Sequence, residues 1–363
     1  MTFTLAGIGT AVPQHSITQE DAARHSSAHC CDTAEDRRRL ELLYRRSGVQ
    51  SRHSVLLETS EPNLPNPQSF FPPRSAAPHG PTTAERMKRY HSEALPLACR
   101  AAQAALDDAR LRASDVTHLV TVSCTGFSAP GVDVGLIREL SLPANTSRTH
   151  IGFMGCHGAL NGLRVANALL AAEPSARVLL CAVELCSLHH QYGWRVDHVL
   201  ANALFADGAA AVVGQSVAAL SREAWQLKSS ASAVLPQTTD LMSWQIGDHG
   251  FEMTLSPEVP ILIEERLRGW ITPWLAGCGV SLEDVGAWAI HPGGPKILQA
   301  TATAAGFDRS QLADSEEVLA KYGNMSSPTI LFILDRLRRR NAPRPCVGIA
   351  FGPGLTIEAA LFV

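Results

Sequence analysis

The chain has 363 residues, 45% hydrophobic and 18% charged, a balance suited to a large folded core and unsuited to disorder. At about 150 residues per domain this corresponds to roughly two domain equivalents. Its 34 acids and 31 bases leave a net charge of -3, so no global basic field points to nucleic acid.

Residues 2–12 alternate apolar and small side chains up to Pro13 and predict a strand and turn. No basic stretch precedes them, which argues against a signal peptide. From Thr18 to Arg46 the charge pattern is helical. Seven of the 22 prolines fall between Glu61 and Pro81, so that stretch reads as a long surface loop. From Thr82 to Leu111 a long helix is predicted, with Ala94, Leu97, Ala98, Ala101, Ala105 and Leu106 on one face. His118–Ser123 is predicted as a strand, and continuous apolar runs at Val178–Val183, Ala209–Val213 and Cys346–Phe351 read as strands buried on both faces. Helical patterns separate most of these runs, so the class is α/β with layered sheets. No apolar run reaches the roughly 18 residues of a membrane span. A soluble, cytoplasmic globule is expected.

One phrase occurs twice. Ser114-Asp115-Val116 leads into the strand at His118, then a Pro-Gly turn and a helix. Glu283-Asp284-Val285 leads into Ala287–Ile290, then His291-Pro-Gly-Gly-Pro and another helix. A spacing of 169 residues (115 to 284) is what a duplicated core produces.

The nine cysteines show neither CxxC spacing nor a companion HExxH, so neither a disulfide framework nor a zinc site is indicated. Cys156 stands apart, flanked by glycines in the run from Gly152 to Leu160. Behind it Leu160, Leu163, Asn167 and Leu170 share a helical face, which places Cys156 at a helix N-terminus. There the dipole favours thiolate and lowers the thiol pKa. The plainer reading is a buried cysteine at a turn. A nucleophilic thiolate needs an imidazole nearby in space, and His291, ending a strand before a stiff Pro-Gly-Gly-Pro turn, is the candidate. Asn324 precedes an apolar helix, as an N-cap or as an amide donor to a developing oxyanion; spacing leaves both open.

These segments together resemble a known family. GFMGCHGA around Cys156, ALFADGAAA from Ala203, HPGGPKIL from His291, YGNMSSPTILFIL from Tyr322 and FGPGLTIE from Phe351 are collinear with the type III polyketide synthases, the chalcone synthase-like family. ELCSLHHQ from Glu184 and GPTTAERM from Gly80 resemble its bacterial branch. The resemblance implies a thiolase-type layered αβαβα fold from two pseudo-symmetric halves. Residues 1–215 would carry the nucleophilic Cys, and residues 216–363 the His and Asn. It also implies a homodimer and a catalytic triad of Cys156, His291 and Asn324. The family's gating phenylalanine falls on Phe205, its second gate on Met253, and a cavity serine on Ser326. The basic triplet that holds CoA falls on Arg39, Leu42 and Arg46, of which Leu42 cannot bind phosphate; Lys296 is a further candidate. Only four bases are Lys (Lys88, Lys228, Lys296 and Lys321), so CoA phosphates must lean on Arg. A methionine that crosses the dimer in plant members is Ala129 here, in a loop two residues shorter, which leaves the cavity wall at Gly126 and Phe127 open.

The implied chemistry is acyl loading on the cysteine, then iterative decarboxylative condensation with malonyl-CoA and closure to a pyrone, resorcinol or phloroglucinol ring. No metal or redox cofactor is implied; CoA thioesters are substrates. Two rival readings are a single-condensation ketoacyl-ACP synthase III and a non-catalytic thiolase-fold partner subunit. With 6% aromatic residues and Met253 at a gate, a flexible cavity wall and an aliphatic starter are expected.

Overall fold

The computed structural model describes residues 3–64, 67–216 and 224–363. Thr2 of the predicted first strand, Pro65 of the proline-rich stretch and residues 217–223 lie outside the described residues. Strand β1 (Phe3–Ala11) is followed by β2 (Ser16–Thr18), helices α1 (Gln19–Cys30) and α2 (Ala34–Arg46), and β3 (Ser51–His53). The helical pattern over Thr18–Arg46 is thus divided into two helices. Thr18 and Thr33 each accept the N–H three residues on, from Asp21 and Asp36, at 3.1 Å. A cap of this kind stabilises a helix start by about 1 kcal/mol, so the second start at Thr33 divides the segment.

The described part of the proline-rich stretch holds no regular element, as expected. The long helix α3 (Thr83–Ala109) follows, entered through a Thr82–Glu85 capping box, and it buries the face expected from its spacing. Then come β4 (His118–Ser123), α4 (Val132–Glu139), β5 (Ser147–Gly152), α5 (Gly158–Ala172), β6 (Val178–Leu185), α6 (Val196–Leu204) and β7 (Asp207–Ser216). The second half runs β8 (Gln226–Val234), β9 (Met242–Gly247), β10 (Gly250–Leu255), α7 (Val259–Gly277), β11 (Ala287–Ile290), α8 (Pro295–Ala305), α9 (Ala313–Tyr322), α10 (Pro328–Arg339), β12 (Cys346–Gly352) and β13 (Thr356–Phe362).

Nine strands join in the order β11-β12-β13-β8-β1-β7-β6-β4-β5. The pairing repeats. β4–β6 is parallel, β6–β7 and β7–β1 antiparallel; likewise β11–β12 is parallel, β12–β13 and β13–β8 antiparallel. The two copies of the duplicated phrase therefore lead into matching strands, β4 and β11. The halves meet where Phe3 and Thr4 pair with Leu227 and Gln226.

Alternation along the strands builds the layers. Val120, Leu180 and Val212 of the first half and Ala289, Ala350 and Ala360 of the second pack with α5 and α10. Their neighbours Leu119, Leu179 and Val213 face α3, whereas Trp288, Ile349 and Leu361 face α7 and α8. The result is five layers in the thiolase manner, with β6, β7 and β12 buried on both faces. Burying one Leu, Ile or Val side chain contributes about 1.5–3 kcal/mol. No helix among the described residues is long and apolar enough to cross a membrane.

Candidate active site

Cys156 lies in a one-turn helix, Gly155–His157, that runs into α5 in the middle layer. The backbone reaches it through left-handed conformations at Phe153 (φ 56°) and Gly155 (φ 68°). A Cβ on Gly155 would stand 2.6 Å from Pro353 Cδ, so only glycine fits this turn. The next residue clamps it. His157 Nδ1 is 2.6 Å from Asn161 Oδ1, and Nε2 is 2.6 Å from Thr356 Oγ1.

His291 follows the last residue of β11, its N–H donating to Ile349 O at 2.8 Å. It is 1% exposed, and neither ring nitrogen has a hydrogen-bond partner. Burial, helped by the neighbouring His157, pushes its pKa down to about 3, so the ring is neutral, with one donor and one acceptor nitrogen. Asn324 is anchored by its backbone, which donates to Leu204 O at 2.8 Å and accepts from Ala206 N–H at 2.9 Å. Its Oδ1 accepts the Ser326 N–H at 2.8 Å, which leaves the amide Nδ2 as the donor toward the Cys156 sulfur. The N-cap reading does not hold. Helix α10 starts at Pro328 behind Ser327, three residues beyond the position Asn324 would need.

Three cavities meet at Phe205 and Met253, which line all of them. Cys156, His291 and Asn324 share one of about 30 Å³. Cys156 also borders a second of about 30 Å³, together with Cys124, Thr125 and Ser326. The third, of about 130 Å³, runs beneath α1 and α6. Two distant stretches of chain have thus been brought onto one thiol.

The expectation of a lowered thiol pKa is corrected. Cys156 is half-buried, but enclosure of the sulfur pushes its pKa up to about 11, against hydrogen bonds from Ser326 and Asn324 and with Glu184 adding to the rise. A dipole at a one-turn helix does not offset that desolvation. The resting thiol is therefore protonated and needs a base.

The flexible aliphatic wall is corrected as well. In the β9–β10 hairpin Met253 pairs with Trp244. The Trp244 ring stands 6.3 Å from Phe205 and 5.9 Å from Phe251, and its Nε1 donates to Cys124 O at 2.7 Å. A ring missing at 253 is supplied by the neighbouring strand. His189, also unforeseen, locks this wall: Nε2 donates to Thr125 O at 2.6 Å and Nδ1 accepts the Phe251 N–H at 2.9 Å. Glu184 was missed too. Its buried carboxylate accepts from Cys124 N–H (2.9 Å), Thr125 Oγ1 (2.7 Å) and Ser327 Oγ (2.8 Å). Burial pushes that carboxyl up, against those donors.

Gly126 and Phe127 line none of the three cavities. A Cβ on Gly126 would meet the Tyr90 ring at 2.3 Å, and Phe127 is 56% exposed; Cys124 and Thr125 form the wall instead. Arg39, Arg46 and Lys296 are exposed and lie outside the cavities. Gly48, just past Arg46, sits against Pro295 (2.9 Å from a Cβ there), so Arg46 and Lys296 flank one region. Arg39 is ion-paired with Glu35 and lies about 10 Å farther along α2.

Residues 2–217 match the N-terminal domain of chalcone and stilbene synthases, and residues 226–363 the C-terminal domain. The chain is 32% identical to the alpha-pyrone synthesis polyketide synthase-like Pks18 of Mycobacterium tuberculosis, over 99% of this chain and 90% of that one. It is 33% identical to 1,3,6,8-tetrahydroxynaphthalene synthase of Streptomyces peucetius, over 99% and 92%. Among solved structures, PKS-I of the brown alga Ectocarpus siliculosus superposes with a TM-score of 0.93 at 30% identity, covering 100% of this chain and 98% of that one. The tetrahydroxynaphthalene synthase of Streptomyces coelicolor superposes with a TM-score of 0.86 at 29% identity, over 99% and 98%.

Proposed function

The chain belongs to the chalcone and stilbene synthase family of type III polyketide synthases, decarboxylating acyltransferases that use acyl-CoA and malonyl-CoA, and from there we propose what its own residues do. Cys156 Sγ attacks the starter thioester as neutral His291 takes the thiol proton, and CoA leaves with that proton. Malonyl-CoA then places its thioester oxygen against His291 and the Asn324 amide. These donors stabilise the enolate as CO2 departs. The enolate carbon attacks the acyl group on Cys156, the lengthened chain passes to CoA, and the cycle repeats.

The observation that carries this reading is the single cavity shared by Cys156, His291 and Asn324. Phe205 and Met253 act as the partition, and Ser326 lines the cavity in which the chain folds. Arg46 and Lys296 hold the CoA phosphates, with Arg39 peripheral. Closure to an alkylpyrone fits the similarity to the pyrone-type relative. The cut between halves falls at 215/216. The CoA thioester substrates support a cytoplasmic setting. A homodimer forms across β5, an exposed edge strand near Phe127, Phe153 and Met154, all exposed; unpaired edges of this kind invite a partner.

The test is mass spectrometry of products from a starter-CoA panel with malonyl-CoA, beside the intact mass of the protein. Several extensions, with the acyl group on Cys156, are expected. A single condensation that takes malonyl only from acyl carrier protein would overturn the reading.

A further inference from the structure

The cavity of about 130 Å³ beneath α1 and α6 is unused by the chemistry above. Helix α6 forms one wall, with His198, Ala201, Asn202 and the following Phe205 all lining it. That spacing puts them on one helix face. At 1.5 Å per residue, His198 lies about 10 Å from Phe205. An extended chain covers this in roughly eight or nine bonds, at the ~3.5 Å that three backbone bonds span in a polypeptide.

The two ends differ. Near Phe205 the wall is Met253, Trp244 and Phe251. At the far end His198 is 5% exposed and neither of its ring nitrogens has a hydrogen-bond partner; the Glu252 carboxylate stands 3.6 Å from Nε2. His190, also in the lining, leaves Nε2 unpartnered. Groups buried in this way are normally satisfied by something. Arg52 donates through Nη1 to the carbonyl oxygens of Asn202 and Phe205, at the Phe205 end, and no carboxylate is in the lining. Burial holds the lining imidazoles His29, His189, His190 and His198 below their ordinary range. Among the described residues no group of His, Cys, Asp or Glu is arranged to hold a metal ion.

We propose that this cavity takes the tail of the starter acyl group, and that its far end selects a tail bearing an uncharged hydrogen-bonding group, a hydroxyl or ketone, about eight or nine bonds beyond Phe205. This rests on the reading of Cys156 as the acyl carrier. The tail passes between Phe205 and Met253, whose unbranched side chain yields easily. A methyl end offers the far-end imidazoles no hydrogen bond, and a carboxylate end there is brought toward the like charge of Glu252.

The experiment follows acylation of Cys156 by intact-protein mass. It uses octanoyl- to tetradecanoyl-CoA, their ω-hydroxy counterparts, and the matching dicarboxylic monothioesters. At one length the hydroxyl should speed loading by about tenfold, one good hydrogen bond's worth, and the carboxylate should slow it. His198→Phe should erase that advantage. Ala201→Leu fills the same face about 4.5 Å short of His198 and should shift the best tail length down by about four carbons. Equal loading of plain and hydroxylated tails at every length, or an advantage that survives His198→Phe with the optimum unmoved in Ala201→Leu, would overturn the inference. Failure of every acyl-CoA to label Cys156 is a separate result and sinks the loading reading itself.

Discussion

Replacing Asn324 by Asp changes one atom's character and little else. Oδ1 still accepts the Ser326 N–H, now at 2.8 Å, so Ser326 keeps its left-handed backbone at φ 55°. What is lost is the amide donor in the cavity shared with His291. Asn324→Ala would remove both and confuse the turn with the chemistry. Of the two side-chain donors available to the malonyl thioester oxygen, one then becomes an acceptor. Loss of a single oxyanion donor costs about 10²–10³ in rate, or ~2.7–4 kcal/mol. The Asp side chain sits at a position 2% exposed, with its negative end toward the developing enolate, so the upper end of that range is expected. Loading of Cys156 draws on the thiol and His291 first, loses only the Asn324 hydrogen bond to the sulfur, and should fall less than tenfold. The assay compares CO2 release from malonyl-CoA with the rate of acyl-enzyme formation by intact mass. Equal losses in the two half-reactions, or CO2 release within tenfold of the parent, would refute the assignment and leave Asn324 a structural brace.

Gly155→Ala forces a Cβ to 2.6 Å from Pro353 Cδ at φ 68°, a strain of about 1–3 kcal/mol; acyl loading should drop more than tenfold with circular dichroism unchanged, and normal loading would show that the turn does not set the thiol. Arg46→Ala with Lys296→Ala should raise KM for CoA thioesters several-fold without lowering kcat. Arg39→Ala should change KM less than twofold, because Glu35 already holds that guanidinium. Stability should fall on acidification. Burial holds His29 at about 4, His189 and His291 at about 3, and His190 well below its ordinary value, whereas in the unfolded chain each titrates near ~6.5. The unfolded chain therefore takes up protons that the folded chain refuses. The contribution is whole above about pH 7 and shrinks as pH falls through 6.5, by about 1 kcal/mol per pH unit for each residue near pH 5.5. A urea midpoint that stays flat from pH 7.5 to 5 would mean that these imidazoles are charged in the folded protein.

Local pattern carried much of this molecule. The apolar run at 178–183 had to be a strand buried on both faces, because every one of its residues is apolar and a period of two leaves none for solvent. Helix α3 was legible from its spacing, and the repeated Ser/Glu-Asp-Val phrase pointed to the pairing that β4 and β11 share. The break in the first helix was written at Thr33 and Asp36, a capping pair that the charge pattern concealed. For the site, the glycines around Cys156 and the resemblance named the three residues that one cavity brings together. The cavity's walls were another matter. Trp244 reaches the gate only because β9 pairs with β10 in a register that sets it opposite Met253, and His189 matters because Thr125 and Phe251 close on it from two sides. Gly126 and Phe127, adjacent to the true wall in sequence, turn away from it. The thiol of Cys156 shows the same limit. A helix start argues for a low pKa, yet desolvation depends on everything packed around the sulfur, from Ser326 to Glu184. Periodicity reports which face of one element is buried; what that face meets, and how dry the meeting is, depends on segments far apart in the chain and is settled only when they pack.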